Sequence, residues 1–126
     1  MSERLSYDRA LELLREVVAE FGEDYKYPHY PAERLPDGRK LRCFYVRDDQ
    51  PSCIVAHVLH RAGIPVQDLV KVEGLGPADT EGTTLFGQWA DLLARQLLRE
   101  VQVQQDEGET WGNALQIVLD AGGPDE

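Results

Sequence analysis

Cys43, Cys53, His57 and His60 are the residues whose types could do chemistry, because thiolate and imidazole are the usual zinc ligands and also the nucleophile and base of cysteine enzymes. The last three lie in the stretch "PSCIVAHVLH", residues 51 to 60, at helical spacing. On a helix, Ile54, Val55, Val58, Leu59 and Ala62 gather on one side, and Cys53, His57 and His60 on nearly the opposite one. Cys53 and His60 are then roughly 10 Å apart along the axis, too far to close together on one ion whose bonds are about 2.0 to 2.3 Å. A zinc site needs a subset: His57 with Cys53 or His60, Cys43 from a neighbouring element, and a fourth ligand such as His29. The paired C-x2-C spacing of structural zinc sites is missing. A zinc-stabilised domain on Cys43, Cys53 and His57 is therefore one alternative; the plainer one is a half-buried Cys53 near a helix start, with two partly exposed histidines. A Cys53-centred enzyme is a further alternative, since a thiol in a first helical turn meets the positive end of the dipole, with His57 one turn on as base. The sequence offers neither a carboxylate to orient that histidine nor a glycine loop for an oxyanion.

The elements that must position these residues follow from periodicity. "SYDRALELLREVVAEFG" places Leu11, Leu14, Val18 and Phe21 on one helical face, with Ser6 as N-cap and Gly22 as stop. "EDYKYPHYP" predicts an extended Tyr/Pro strap over residues 23–33, where Tyr25, Tyr27 and Tyr30 are either partner-binding anchors or rings packed back across the helices. A Pro-Asp-Gly turn and alternating apolar residues predict a short hairpin over 34–47. Ser52 is expected to cap the helix of the cysteine and histidine stripe, Gly63 to end it, and Pro65 to start a second short one. A Gly-rich connection follows at 74–82. Beyond it, Trp89, Leu92, Leu93, Leu97 and Val101 predict one long central helix. Thr110 should cap a last helix carrying Trp111, Leu115, Val118 and Leu119, with Gly122 as its stop.

With 126 residues the chain builds one core, so residues 1–126 are read as a single compact domain, mainly α with about five helices and one short β-hairpin. Its expected core is Leu11, Leu14, Val18, Phe21, Val55, Val58, Leu59, Leu92, Leu93, Leu97, Leu115 and Val118. The charge balance is 13 basic against 23 acidic residues, which argues against nucleic acid as a partner. The helix pair after residue 52 has the outline of a helix-turn-helix, but Gln67, Asp68, Lys71 and Glu73 on its second helix would repel phosphate. Arg34, Arg39, Lys40, Arg42 and Arg47 concentrate the positive charge on the hairpin, and Arg39 and Arg42 are candidate partner contacts there. No apolar run approaches the roughly 18 residues that span a bilayer, and "MSERLSYDRA" lacks a signal-peptide pattern, so the expected location is the cytosol.

"CFYVRDDQPSCIVAHVLHRAGIP" and "QVQQDEGETWGNAL" together resemble a recurring pattern in small proteins of actinobacteria and their phages. In that pattern a Cys-x-Tyr-Val strand leads into a Pro-Ser-Cys helix, and a Gln-Asp-x-Gly-x-x-Trp-Gly element comes later. The matching positions are Cys43, Pro51, Ser52, Cys53, Gly63, Gln105, Asp106, Gly108, Trp111 and Gly112, with Glu107 in a variable slot. The resemblance carries no activity, and it admits Gln at position 57, which argues against obligatory zinc. The function expected from all of this is that of a small acidic cytosolic accessory protein, of phage or mobile-element type. It would act by binding another protein through Tyr25, Tyr27, Tyr30, Arg39 and Arg42, with no cofactor or, in the alternative, zinc.

Overall fold

A computed structural model of the chain describes residues 4–27, 33–34, 40–41, 45–47, 49–72 and 85–122. Six α-helices occur among them: α1 (Tyr7–Phe21), α2 (Ile54–Arg61), α3 (Val66–Leu69), α4 (Leu85–Trp89), α5 (Leu92–Asp106) and α6 (Trp111–Asp120), with a 3-10 turn at Val70–Val72. Four of them, α1, α2, α5 and α6, pack on one another around a single buried cluster. The mainly helical reading therefore holds. None of the described helices is long and apolar enough to cross a membrane.

Around residues 34–47 the outcome differs from the one hairpin expected. The described residues form two minimal antiparallel pairs instead: β1 (Glu33–Arg34) with β2 (Lys40–Leu41), and β3 (Val46–Arg47) with β4 (Gln50–Pro51). Strand β3 turns forward onto β4 through Asp49, whose φ of 61° is left-handed, a conformation that Asp tolerates better than most residues. With two residues in each strand, neither pair makes a sheet that could shape the core. The Gly-rich connection over 74–82 lies outside the described residues.

Helix α1 starts as its sequence predicts: the Ser6 hydroxyl accepts from the Arg9 N–H at 3.2 Å. Its buried face is Ala10, Leu13, Leu14, Val17 and Val18, one step round from the expected stripe, because Leu11 and Phe21 flank the core as half-buried side chains. Helix α2 is buried almost all round, at Ile54, Val55, Ala56, Val58 and Leu59. Cys53 is fully buried too, so it belongs to the apolar side and not to a separate polar stripe.

The single long helix from Trp89 onward is corrected to two. Helix α4 stops at Trp89, and α5 restarts at Leu92 after Asp91, whose carboxylate accepts from the Ala94 N–H at 2.9 Å. A break in a helix leaves backbone groups without partners. Here Leu5 supplies them: its N–H donates to the Trp89 carbonyl at 2.7 Å, and its carbonyl accepts from the Asp91 N–H at 3.0 Å. The break also rotates the apolar face. Leu92, expected in the core, is 54% exposed and Leu93 is half-buried, while Ala94, Leu97, Leu98 and Val101 carry the buried side of α5.

This placement separates two substitutions. Asp91→Ala should cost about 1 kcal/mol as a lost N-cap, whereas Leu92→Ser should stay within roughly 0.5 kcal/mol of the parent as an exposed change. Chemical denaturation of both variants checks this; a larger loss for Leu92→Ser would restore the unbroken helix.

Candidate functional site

Gln105, 3% exposed, is the one buried polar residue among the described ones. It sits on the last turn of α5, and its side-chain oxygen accepts two hydrogen bonds: from the Ile54 N–H at 3.0 Å and from the Trp111 indole N–H at 3.1 Å. Its amide nitrogen donates to the Asp106 carboxylate at 3.0 Å. Two donors on one end and a carboxylate on the other leave a single consistent orientation for the amide. Gln105 thereby caps α2, a service expected from Ser52. The Ser52 hydroxyl is instead 3.0 Å from the Tyr27 hydroxyl, and Cys53, the N-cap residue by position, makes no side-chain cap bond.

Around this amide the strap closes on α6. The first N–H groups of α6 donate to strap carbonyls, Trp111 to Tyr25 at 2.8 Å and Gly112 to Glu23 at 3.1 Å. Thr110 completes the cap as its sequence predicts, accepting from the Asn113 N–H at 3.1 Å. The approach is so close that a Cβ at position 112 would lie 2.7 Å from the Glu23 carbonyl oxygen, which only glycine avoids. One turn earlier Gly108, at φ 97°, ends α5: its N–H donates to the Gln105 carbonyl and the Glu109 N–H to that of Gln104. The Gln-Asp-x-Gly-x-x-Trp-Gly element is thus a helix-turn-helix joint, and every residue of it that the resemblance singled out has a packing or bonding task.

Beside the joint, four rings form a cluster. Trp111 lies 4.6 Å from Tyr25 and 5.1 Å from Phe21, and His57 stands 4.7 Å from Phe21 and 5.7 Å from Trp111, centre to centre. Burial among these rings holds the His57 pKa below its usual value, and the charge of His60 adds to the effect. His60 is exposed, with Nδ1 3.1 Å from the Ile64 carbonyl.

Against known proteins, the chain matches no family model, no curated protein and no solved structure. What it can do is therefore argued from its own side chains. Cys43, His29, Tyr30, Arg39 and Arg42 lie outside the described residues. Tyr25 and Tyr27 are half-buried and packed against the core. Cys53 and His57 are both on the inner side of α2, and among the described residues no three His, Cys, Asp or Glu side chains gather as a metal set.

One surface feature had no counterpart in the sequence reading. Leu92 and Val103 are exposed on α5, separated by Gln96 and Arg99 at four- and three-residue steps that put all four on one helical face. Ile117 of α6, 39% exposed, lies across a shallow groove of about 190 Å3 from Val103, lined also by Arg99, Gln104 and Ala121. The signal was present as Leu92 and Val103 eleven residues apart, but it is legible only once the helix break is known.

Two measurements test the joint. Gln105→Leu removes the shared acceptor and leaves two buried N–H groups without a partner, at about 1 to 3 kcal/mol each. In a double-mutant cycle with Trp111→Phe, which deletes one of those donors, the losses should fall short of additive by about 0.5 to 3 kcal/mol; simple additivity would mean that the two side chains do not share the bond. For His57 the sign is fixed by its lowered pKa: the unfolded chain takes up the proton first, near pH 6.5. The contribution of neutral His57 is therefore whole above that pH and is lost as pH falls through the lower folded value. Stability curves of the parent and of His57→Gln should diverge below about pH 6.5, the parent losing more; parallel curves would contradict the burial.

Proposed function

We propose that the protein is a small acidic accessory protein that works by binding another protein. The observation that carries the proposal is the row of Leu92 and Val103 on α5 with Ile117 beside it, three of the four large apolar side chains exposed among the described residues, the fourth being Val70. Apolar residues grouped at the centre of a polar surface are the usual anatomy of a recognition patch. The excess of 23 acidic over 13 basic residues adds a preference for a partner with a basic rim, through complementarity and steering. Tyr25, Tyr27, Tyr30, Arg39 and Arg42 remain proposed contacts as well. In this reading the partner is a bacterial cytosolic protein, in keeping with the resemblance to small proteins of actinobacteria and their phages. A basic nucleic-acid-binding surface blocked by an acidic cover is one such target.

The zinc-stabilised alternative on Cys43, Cys53 and His57 and the Cys53 enzyme draw no support from this arrangement. Cys53 is wholly buried, and His57 stands among aromatic rings.

The test compares the tagged parent with a Val103→Asp, Ile117→Asp variant, each isolated from the cells that express the protein naturally and examined by native mass spectrometry. The parent should carry a stoichiometric protein companion, and the variant should lose it with an unchanged Tm. A parent without any companion, or a companion retained by the variant, overturns this patch as the binding surface.

A further inference from the structure

A cleft of about 320 Å3, sharing no lining residue with the α5–α6 groove, opens between the start of α1, the end of α2 and α4. Its lining holds Arg4, Arg9 and Arg61 together with Ser6, Gln88 and Trp89, and no carboxylate among the described residues, in a chain whose net charge is -10. We propose that this cleft binds a small phosphate monoester carrying a flat ring, the chemistry of a nucleoside monophosphate.

Three walls of the cleft are rigid. The Leu5 backbone is clamped between Trp89 and Asp91, which fixes Arg4 and Ser6 against α4. The end of α2 is locked by the Gly63 N–H on the His60 carbonyl and the Ile64 N–H on the Leu59 carbonyl, both at 3.0 Å, which fixes Arg61. Trp89 packs edge-on against Phe86 at 5.6 Å.

The arginines are oriented and still have donors to spare. Arg4 gives one Nη1 hydrogen to the Gly87 carbonyl at 3.0 Å and has no acidic partner among the described residues. Arg9 pairs through Nη1 with Glu12 and, at 3.7 Å, with Glu16; Arg61 pairs with Glu20 and, at 3.7 Å, with Glu16. These carboxylates hold the guanidinium groups from outside, since none of them lines the cleft. A guanidinium has five N–H donors in a planar fork, and in Arg4 and Arg9 the Nε and Nη2 groups make no hydrogen bond to the described residues. Such forks match a phosphate bidentately, and the N-terminus of the 15-residue helix α1 opens beside Ser6 with its positive dipole end. Asp8, in the same first turn, is not part of the lining. The volume lies at the small end of ligand pockets, enough for one ring and one phosphate, while Trp89 offers a surface for the ring and Gln88 an amide at the rim.

Isothermal titration of the full chain with AMP, adenosine and inorganic phosphate tests this, with the parent and the variants Arg4→Gln and Arg61→Gln. The expected result is saturable one-to-one binding of AMP, weakened about tenfold or more in each variant, as loss of a charge-assisted hydrogen bond implies, with Tm unchanged. Adenosine and phosphate alone should bind at least as much more weakly. No saturable binding of AMP, or AMP binding indifferent to both substitutions, overturns the site. Adenosine binding as tightly as AMP overturns the role of the arginines, and phosphate doing so overturns recognition of the ring. The α5–α6 patch takes no part in the cleft, so failure of either proposal leaves the other standing.

Discussion

The side-chain amide of Gln105 is the point on which the helices depend for their mutual arrangement. A helix start leaves backbone N–H groups without partners, and an indole N–H buried beside it adds another. One oxygen answers both, so α2, α5 and α6 can meet only where Ile54, Trp111 and Gln105 come within hydrogen-bond reach of each other. Aliphatic packing alone is non-directional and would permit neighbouring arrangements at small cost. The amide selects one, because any sliding of α2 along α5 strands polar groups in a dry core.

The strap extends the same logic to the far side of Trp111. Carbonyls of Glu23 and Tyr25 accept from the first turn of α6, the ring of Tyr25 covers the indole, and Gly112 leaves room for the backbone to come that close. The indole is therefore held by its nitrogen from one direction and by rings from the others. His57 completes this enclosure as a neutral imidazole, used here as an aromatic filler with a polar edge.

Much of the local structure was legible in the sequence because its causes are local. Ser6 and Thr110 cap the helices they were expected to cap, and Gly22, Gly63 and Gly122 stand at three helix ends with positive φ. The readings that changed were those decided at a distance. Ser52 looked like the cap of α2, but the cap comes from Gln105, 51 positions from the Ile54 N–H that it accepts from. The apolar period ran through Ala90 and Asp91 without a visible fault, because what opens the helix there is the backbone of Leu5. That break moved Leu92 from core to surface and created the exposed row on α5. The candidate sites followed the same division: the resemblance singled out Gln105, Trp111 and Gly112 without a task for them, since their partners Ile54, Tyr25 and Glu23 come from other elements. The arginine cleft was beyond reach for the same reason, as Arg4, Arg9 and Arg61 converge only in three dimensions.

The bridge between Leu5 and Ala90 also bears on how the molecule assembles. Arg4 and Gly87, joined beside it, are separated by 83 positions in a chain of 126, so the α4–α5 corner closes a loop of about two thirds of the chain. Contacts of such long range form late and slow the folding of small domains. Before that moment the Trp89 carbonyl and the Asp91 N–H lack the backbone partners that Leu5 gives them in the folded domain. The corner between α4 and α5 is thus completed by a segment remote in sequence, which ties its integrity to the docking of the N-terminal residues.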